Sequence, residues 1–350
     1  FIGRFTRIAA DLLLLLTESV SKISWAEINL ATPSLVLVIL CYLLLLYLRY
    51  VHRRLPKEIS RPLLAGILVL YGTSIVFMGI PDHSLKIYFT DVGQGDCALI
   101  RTPEGKNIMI DGGGSINDEE GSYVGERIVV PLLYDVHMTE IDLMIATHGH
   151  ADHIGGLKSV IDALPVKKVV VADAPDREMN EFIDYAKGKK IPLDRVKEGQ
   201  VLYREGDLAI SVLYPLQERW LMPQSETVSA NELSLVARLD YGKFSALFTA
   251  DIGSETENLI LNDGAVLQCD LLKVAHHGSK YSSDKSFLGA VSPSVAVISV
   301  GNNNYGHPSP ETIERLEQQD VQIYQTLENG GVLVEVHKDD TRMRVTTFAE

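Results

Sequence analysis

Two long uncharged stretches stand out in the hydrophobic pattern. Leu30 to Leu48 runs nineteen residues without a charge and is almost purely aliphatic from Leu35 onward; Pro62 to Pro81 runs twenty more. A helix of that length crosses about 30 Å of hydrocarbon, so transmembrane helices are predicted over 30–48 and 62–81. Upstream, Ile8, Asp11, Leu12, Leu15, Thr17, Glu18 and Lys22 sketch a helix over 5–22 with a polar edge. It could lie along the membrane interface or end a preceding transmembrane helix. From Leu85 the pattern changes to short β-rich runs separated by glycine turns, among them Leu85–Val92, Leu143–Thr147, Leu208–Tyr214, Lys243–Thr249 and Val332–Val336. Helical stretches near 156–164, 177–189, 254–261, 284–291 and 310–318 interrupt them. Strand clusters alternating with helices in two similar halves predict an α/β fold with two sheets face to face and helices outside. The organisation read here is a membrane region over 1–81 and a folded domain over 82–350.

Charge sharpens that division. The chain holds 32 basic and 46 acidic residues, a net −14. Residues 1–81 contain eight of the basic and four of the acidic ones, which leaves 24 against 42, or −18, for the remainder. A polybasic nucleic-acid coat is excluded, and any polyanion must be held by a local site with a metal. The loop between the apolar stretches carries Arg49, Arg53, Arg54, Lys57 and Arg61 against Glu58 alone. Short basic loops stay on the cytoplasmic side, which predicts a domain on the extracytoplasmic face of a multi-pass cell-membrane protein. Cys41, Cys97 and Cys269 are too few for a disulfide framework; the last two sit beside apolar strands and are read as buried structural thiols. The chain starts at Phe1 without a Met and is read as part of something longer.

One segment concentrates the chemistry: Thr147-His148-Gly149-His150-Ala151-Asp152-His153-Ile154-Gly155-Gly156. It follows an apolar strand and precedes a helix. His148 and His150, two apart on extended chain, point to the same side, while Asp152 and His153 turn across the loop toward a second ion. Imidazole and carboxylate together suit zinc, manganese or iron. His52, His83, His137 and His337 have no clustered partners and are read as surface residues. The basic run Lys187, Lys189, Lys190, Arg195 and Lys197 is read as a solvated helix end in preference to a phosphate guide.

The motif His148-x-His150-x-Asp152-His153 with Gly155-Gly156 resembles the metallo-β-lactamase superfamily signature over roughly residues 85–350, which implies an αββα sandwich. In that superfamily Asp111-Gly112-Gly113 fits the turn before the motif and Ala250-Asp251 the bridging carboxylate. His276-His277-Gly278-Ser279 and Gly306-His307-Pro308 are the candidates to complete the site. The superfamily's separate middle histidine is missing, since no His occurs between 154 and 275; Asn231 lies near where it is expected, and its poorer amide makes exchangeable manganese as plausible as zinc. The flanks are more specific. Asp91-Val92-Gly93-Gln94-Gly95-Asp96, the Asn231 block with Ser234-Leu235, and Asn304-Tyr305-Gly306-His307-Pro308 together resemble the C-terminal part of the ComEC family of DNA-uptake channel proteins.

The resemblance implies a membrane-anchored nuclease that degrades the non-imported DNA strand during transformation. It implies two divalent metal ions, Zn or Mn, on His148, His150, Asp152, His153, Asp251 and His276. Asp152 would orient the nucleophile, and His277 or His307 would protonate the departing oxygen. Asp91, Asp96, Asp111, Asn231 and Ser279 are supporting residues, Asp111 bracing the metal loop. The implied partners are DNA, the lipid membrane, the upstream channel portion of the same protein and other DNA-uptake proteins. The alternatives are a cell-surface phosphorylcholine esterase or lactonase, and a catalytically silent DNA guide.

Overall fold

The structure is a computed structural model describing residues 2–21, 31–78, 83–115, 122–173, 176–216, 229–338 and 343–349. Lys22, Leu30 and residues 79–81 of the predicted membrane segments lie outside that set. Contacts divide the chain into two units: Phe1–Gly72 with Tyr134–His137, and Thr73–Leu133 with Met138–Glu350.

In the first unit, helices span Ile2–Ser21, Leu35–Leu46 (continuing as a wider turn through Val51) and the greater part of Lys57–Met78, which runs on past Gly72. The second of these starts five residues later than the apolar stretch itself. Pro33 has no N–H to give a helix, and Ser34 caps at Leu35, its hydroxyl accepting from the Leu37 N–H at 3.3 Å. Leu35–Val51 is therefore a shorter apolar helix, and among the described residues Lys57–Val76 is the one helix long and apolar enough, by length and composition, to cross a membrane. The Tyr47 hydroxyl donates to the Ser60 carbonyl at 2.8 Å and joins the last two helices. Leu35, Val36, Ile39, Leu43, Leu68, Val69 and Val76 are exposed apolar side chains.

In the second unit, alternation of Leu85, Ile87 and Phe89 with Lys86 and Tyr88 makes a strand with one buried face. Fifteen strands are described. In chain order they are β1 (Ser84–Phe89), β2 (Ala98–Arg101), β3 (Asn107–Ile110), β4 (Leu143–Ala146), β5 (Val169–Ala172), β6 (Leu193–Val196) and β7 (Val201–Glu205). Then come β8 (Leu208–Tyr214), β9 (Val236–Tyr241), β10 (Phe244–Phe248), β11 (Leu271–Lys273), β12 (Val295–Ile298), β13 (Gln322–Gln325), β14 (Val332–His337) and β15 (Arg344–Thr347). One sheet runs β15-β14-β1-β2-β3-β4-β5-β6 and the other β13-β12-β11-β10-β9-β8-β7. β3 to β6 are parallel, as are β10 to β13, and the rest pair antiparallel. The two-sheet α/β architecture expected from the pattern is present.

A single apolar core joins the inner faces: Ile87, Phe89, Ile110 and Ile145 from the first sheet meet Ile210, Leu239, Phe248 and Val297 from the second. Phe89 and Phe248 stack across it with ring centroids 6.1 Å apart. Each such fully buried side chain contributes roughly 1.5–3 kcal/mol by removal from water. On the outer face of the second sheet, Leu247, Leu272 and Ile298 pack with Ile260, Phe287 and Leu316 of helices Ser254–Asp263, Lys285–Val291 and Pro310–Glu317. Cys97 and Cys269 are buried, and burial pushes both thiols up to about 12, which leaves them inert. His52, His83 and His337 are exposed and His137 half-buried.

The parallel strands decide where chemistry can sit. Their carboxyl ends open at one edge of the sandwich, the place where α/β sheets present ligand-binding loops. Asp111 follows β3, His148 follows β4, Asp251 follows β10, His276 and His277 follow β11, and Ser299 follows β12.

Candidate metal centre

Glycine lets three loops approach closely enough to share backbone hydrogen bonds. The Asp96 N–H donates to the Asp152 carbonyl at 3.0 Å, Gly112 N–H to His153 at 2.6 Å, Gly113 N–H to Asp96 at 2.7 Å and Gly156 N–H to Gly113 at 2.9 Å. A side chain at Gly95 would place its Cβ 2.5 Å from the Asp152 carbonyl oxygen, so no larger residue fits there. This interlacing holds the 147–156 motif as a rigid platform. His150, extended at φ −67°, leads into helix Ala151–Ile154, which presents Asp152 and His153 on its single turn.

Asp111 braces that platform. Its carboxylate accepts from the Thr147 N–H at 2.9 Å, the Thr147 hydroxyl at 2.7 Å and His153 Nδ1 at 2.8 Å. His153 Nδ1 is thereby committed, and Nε2 faces Asp251 Oδ1 at 3.3 Å. His277 is fixed in the same way from the other sheet. Its Nδ1 donates to the Ser299 carbonyl at 2.8 Å, leaving Nε2 at 3.4 Å from both Asp152 Oδ2 and Asp251 Oδ2. One donor atom from each of Asp152, His153, Asp251 and His277 lies within 4.8 Å of the others. Beside this cluster His148 Nε2 and His150 Nδ1 converge to 3.2 Å.

Electrostatics make the cluster a cation trap. Burial alone would lower His277, but Asp251, Asp96 and Asp152 outweigh it and push the imidazole up to about 10. His153 is likewise held well above its usual value against burial, by Asp251 and Asp111. Burial would raise Asp251 and Asp152; His277 and His153 instead hold both carboxyls well below the ordinary range. His148 is driven the other way, down, by burial and the neighbouring His153. Protonated imidazoles thus balance the carboxylates here, in the position a metal's charge would take. The donor set fits a metal on a direct observation: His153 Nε2, Asp251 Oδ1 and His277 Nε2 are buried without a hydrogen-bond partner. Atoms of that kind are costly unless something coordinates them.

Local strain marks the same place. Asp111 (φ 57°), Ala250 (φ 45°), His276 (φ 50°) and His277 (φ 53°) are all non-glycine residues in the left-handed region, each costing on the order of 1–3 kcal/mol. The two adjacent histidines consequently diverge. His276, about a third exposed, lies 3.9 Å from Asp251 Oδ2 and accepts from the Asn231 amide nitrogen at 3.3 Å. Of the pair, it is His277 and not His276 that enters the tight cluster. His150, Asp152, Asp251, His276, His277 and His307 line an open cavity of about 250 Å³. His307 is lowered by burial and by its neighbours His276 and His277, and its Nδ1 is buried without a partner. Asp96 lies beneath, 3.7 Å from His153 Nδ1 and from His277 Nδ1.

Two expected supporting residues lie off the cavity. Asp91 is exposed and accepts from the Gly93 N–H at 3.1 Å, shaping its own turn. Ser279 is buried and braces the next turn, its carbonyl accepting from the Thr312 hydroxyl at 2.9 Å. Lys273 was not singled out by the motif. Only 4% exposed, it ion-pairs with Asp96 Oδ2 and donates to the Ala250 carbonyl at 3.2 Å. The signal available for it was a lysine inside the apolar run Leu271–Ala275, where an unpaired charge would be prohibitive.

A two-sheet sandwich with this edge cluster defines a metallo-β-lactamase fold, and residues 90–216 match the metallo-beta-lactamase superfamily. Three curated proteins are similar to the chain over a longer stretch than that match. It is 28% identical over 259 residues to "ComE operon protein 3" of Bacillus subtilis, covering 71% of this chain and 32% of that protein. It is 28% identical over 276 residues to "Recombination protein 2" of Haemophilus influenzae, covering 78% and 32%. It is 26% identical over 312 residues to "Competence protein ComA" of Neisseria gonorrhoeae, covering 86% and 38%. The chain spans about a third of the length of these relatives.

Proposed function

We propose that this chain is the membrane-anchored nuclease portion of a DNA-uptake channel, hydrolysing phosphodiesters of the strand that is not imported. The observation that carries the reading is the Asp152, His153, Asp251 and His277 cluster: the last three are buried with unsatisfied donor atoms, and Asp152, Asp251 and His277 open into a cavity of about 250 Å³. His148 and His150 with Asp251 would hold one divalent ion; Asp152, His153, Asp251 and His277 would hold the other. Bound there, a pair of divalent ions supplies Lewis acidity toward a phosphate oxygen and a water that ionises near neutral pH. Zinc and manganese both suit the set. Asn231 in place of a third imidazole favours manganese, because an amide oxygen is a hard donor.

The protein's own contribution is positioning. Asp111 and the Ser299 carbonyl lock the two imidazoles so that their Nε2 atoms face inward before substrate arrives, which keeps reorganisation small. Asp152 Oδ2, half-reaching the cavity, orients the attacking water. His307 at the wall donates a proton to the departing oxygen; incoming phosphate charge raises an imidazole that burial holds low. The apolar helices Leu35–Val51 and Lys57–Met78 serve as two spans of the membrane region 1–81, the basic loop Arg49–Arg61 lying in the cytoplasm and the 82–350 hydrolase domain outside.

Purified chain in detergent should cleave DNA when supplied with manganese or zinc, and His150→Ala and Asp152→Ala should each abolish cleavage. Turnover of a phosphorylcholine ester or lactone with DNA untouched transfers the site to a surface hydrolase. Metal binding with no turnover of any of these leaves a DNA guide.

A further inference from the structure

The cavity wall carries an aromatic group that the hydrolytic chemistry does not use. Tyr305 lines the cavity yet is 66% exposed, and its ring stacks on His307 with centroids 6.0 Å apart and planes 26° apart. His307 meets His276 edge-on at 5.6 Å. The rings therefore step outward from the candidate metal centre, and the last one has an open face. Burying a tyrosine face is favourable, so a large exposed ring at the mouth of a cavity is a contact surface awaiting a planar partner.

That ring is held in place by its loop. The Asn303 side chain donates to the Gly301 carbonyl at 2.9 Å and to the His307 carbonyl at 2.7 Å, and accepts from the Tyr305 and His307 N–H groups, each at 3.0 Å. Gly301 sits so close to the Gly93–Gln94 backbone that an added Cβ would lie 2.3 Å from it, which pins the loop's start. Such a ring loses little freedom when it is covered.

Charge explains why a stacking surface matters here. Among the described residues lining the cavity there is no lysine or arginine, and residues 82–350 carry a net −18. The described lining thus offers a polyanion no lysine or arginine, and beyond the metal and its histidines the contact this wall supplies is an uncharged one. Base faces provide one in any sequence, but only when they are not stacked inside a duplex. Resting on the nuclease reading above, we propose that Tyr305 is a stacking platform for the base beside the scissile phosphate, which makes single-stranded DNA the substrate class.

The test measures binding of a labelled ten-nucleotide thymidine strand to the full chain in detergent with manganese, using phosphorothioate linkages to suppress cleavage. Stacking of one base is worth roughly 1–3 kcal/mol, so Tyr305→Ala should weaken binding about 5- to 150-fold. Tyr305→Phe should bind as the parent does. An abasic strand should bind equally to parent and Tyr305→Ala, the loss on the thymidine strand should persist as salt is raised, and a duplex should bind less tightly than the single strand. Equal binding of the thymidine strand by parent and Tyr305→Ala overturns the proposal, as does a duplex bound as tightly as a single strand, or no binding of either. A separate cleavage assay distinguishes the two readings: Tyr305-dependent binding without metal-dependent cleavage sinks the nuclease and leaves the platform standing.

Discussion

Replacing Lys273 by methionine removes a buried charge and keeps most of the side-chain volume. Lys273 is only 4% exposed, and its ammonium pairs with Asp96 Oδ2, with the Ala250 carbonyl at 3.2 Å and Asp251 Oδ1 at 4.0 Å. Asp96 Oδ1 has no hydrogen-bond partner, and the nearest imidazole nitrogens, His153 Nδ1 and His277 Nδ1 at 3.7 Å, are already engaged by Asp111 and the Ser299 carbonyl. Stripping one partner from a buried pair costs about 3–5 kcal/mol, since the remaining charge stays desolvated. For a unit of this size each kilocalorie moves the melting temperature by roughly 2–4 °C, which predicts a drop of about 6–20 °C. Adding Asp96→Asn to Lys273→Met removes the stranded charge and should restore at least about 2 kcal/mol. Thermal unfolding of the full chain in chelator, followed by circular dichroism through the β-rich transition, measures all four corners of this cycle. A Lys273→Met single variant within about 1 kcal/mol of the parent, or a double variant no better than the single, would refute the reasoning.

Glu257 is fully buried, and burial raises its carboxyl from 4.5 to about 7 despite the Ser283 and Asp284 N–H groups it accepts from. A raised folded value means the native state keeps its proton while the unfolded chain has lost it. Stability relative to Glu257→Gln should therefore be greatest below pH 4.5 and fall by on the order of 3 kcal/mol as pH rises to 7; a flat difference in denaturant titrations refutes it. Asp251→Ala should lose most of the bound metal in elemental analysis of the purified chain, because Asp251 faces both His153 and His277; unchanged stoichiometry removes it from the site. Metal binding at pH 7 should release protons, since His277 stays protonated up to about 10 in the metal-free site. Affinity should accordingly climb with pH toward that value, and calorimetry in buffers of different ionisation enthalpy should register the release.

The parts of the site legible in the sequence are those whose geometry is local. Thr147–His153 lies on one strand end and one helical turn, so seven residues carry their own arrangement. Asp251 was legible only through resemblance, because a carboxylate after an apolar strand has many other uses. The choice between His276 and His277 was not readable: both sit at positive φ, and the period-2 alternation that would extrapolate from β11 ends where the backbone turns left-handed. Strands β6, β7 and β15 escaped notice because they are short and mostly exposed, with too few apolar positions to alternate. The helix start at Leu35 was written in Pro33 and Ser34, but an uncharged run reads the same with or without its first turn.

The donors Asp152 and His153 follow strands of one sheet, whereas Asp251 and His277 follow strands of the other. Chain topology gives that split a thermodynamic meaning. Any ligand gripped by both sides closes a circuit running from the motif to the late histidine, about 125 residues along the backbone, as a staple would. In the chain-entropy picture a closed loop of about 100 residues is worth close to 5 kcal/mol, because the unfolded ensemble cannot keep the tie without surrendering freedom. Occupancy of a site only a few ångströms across is thus communicated to every strand of both sheets.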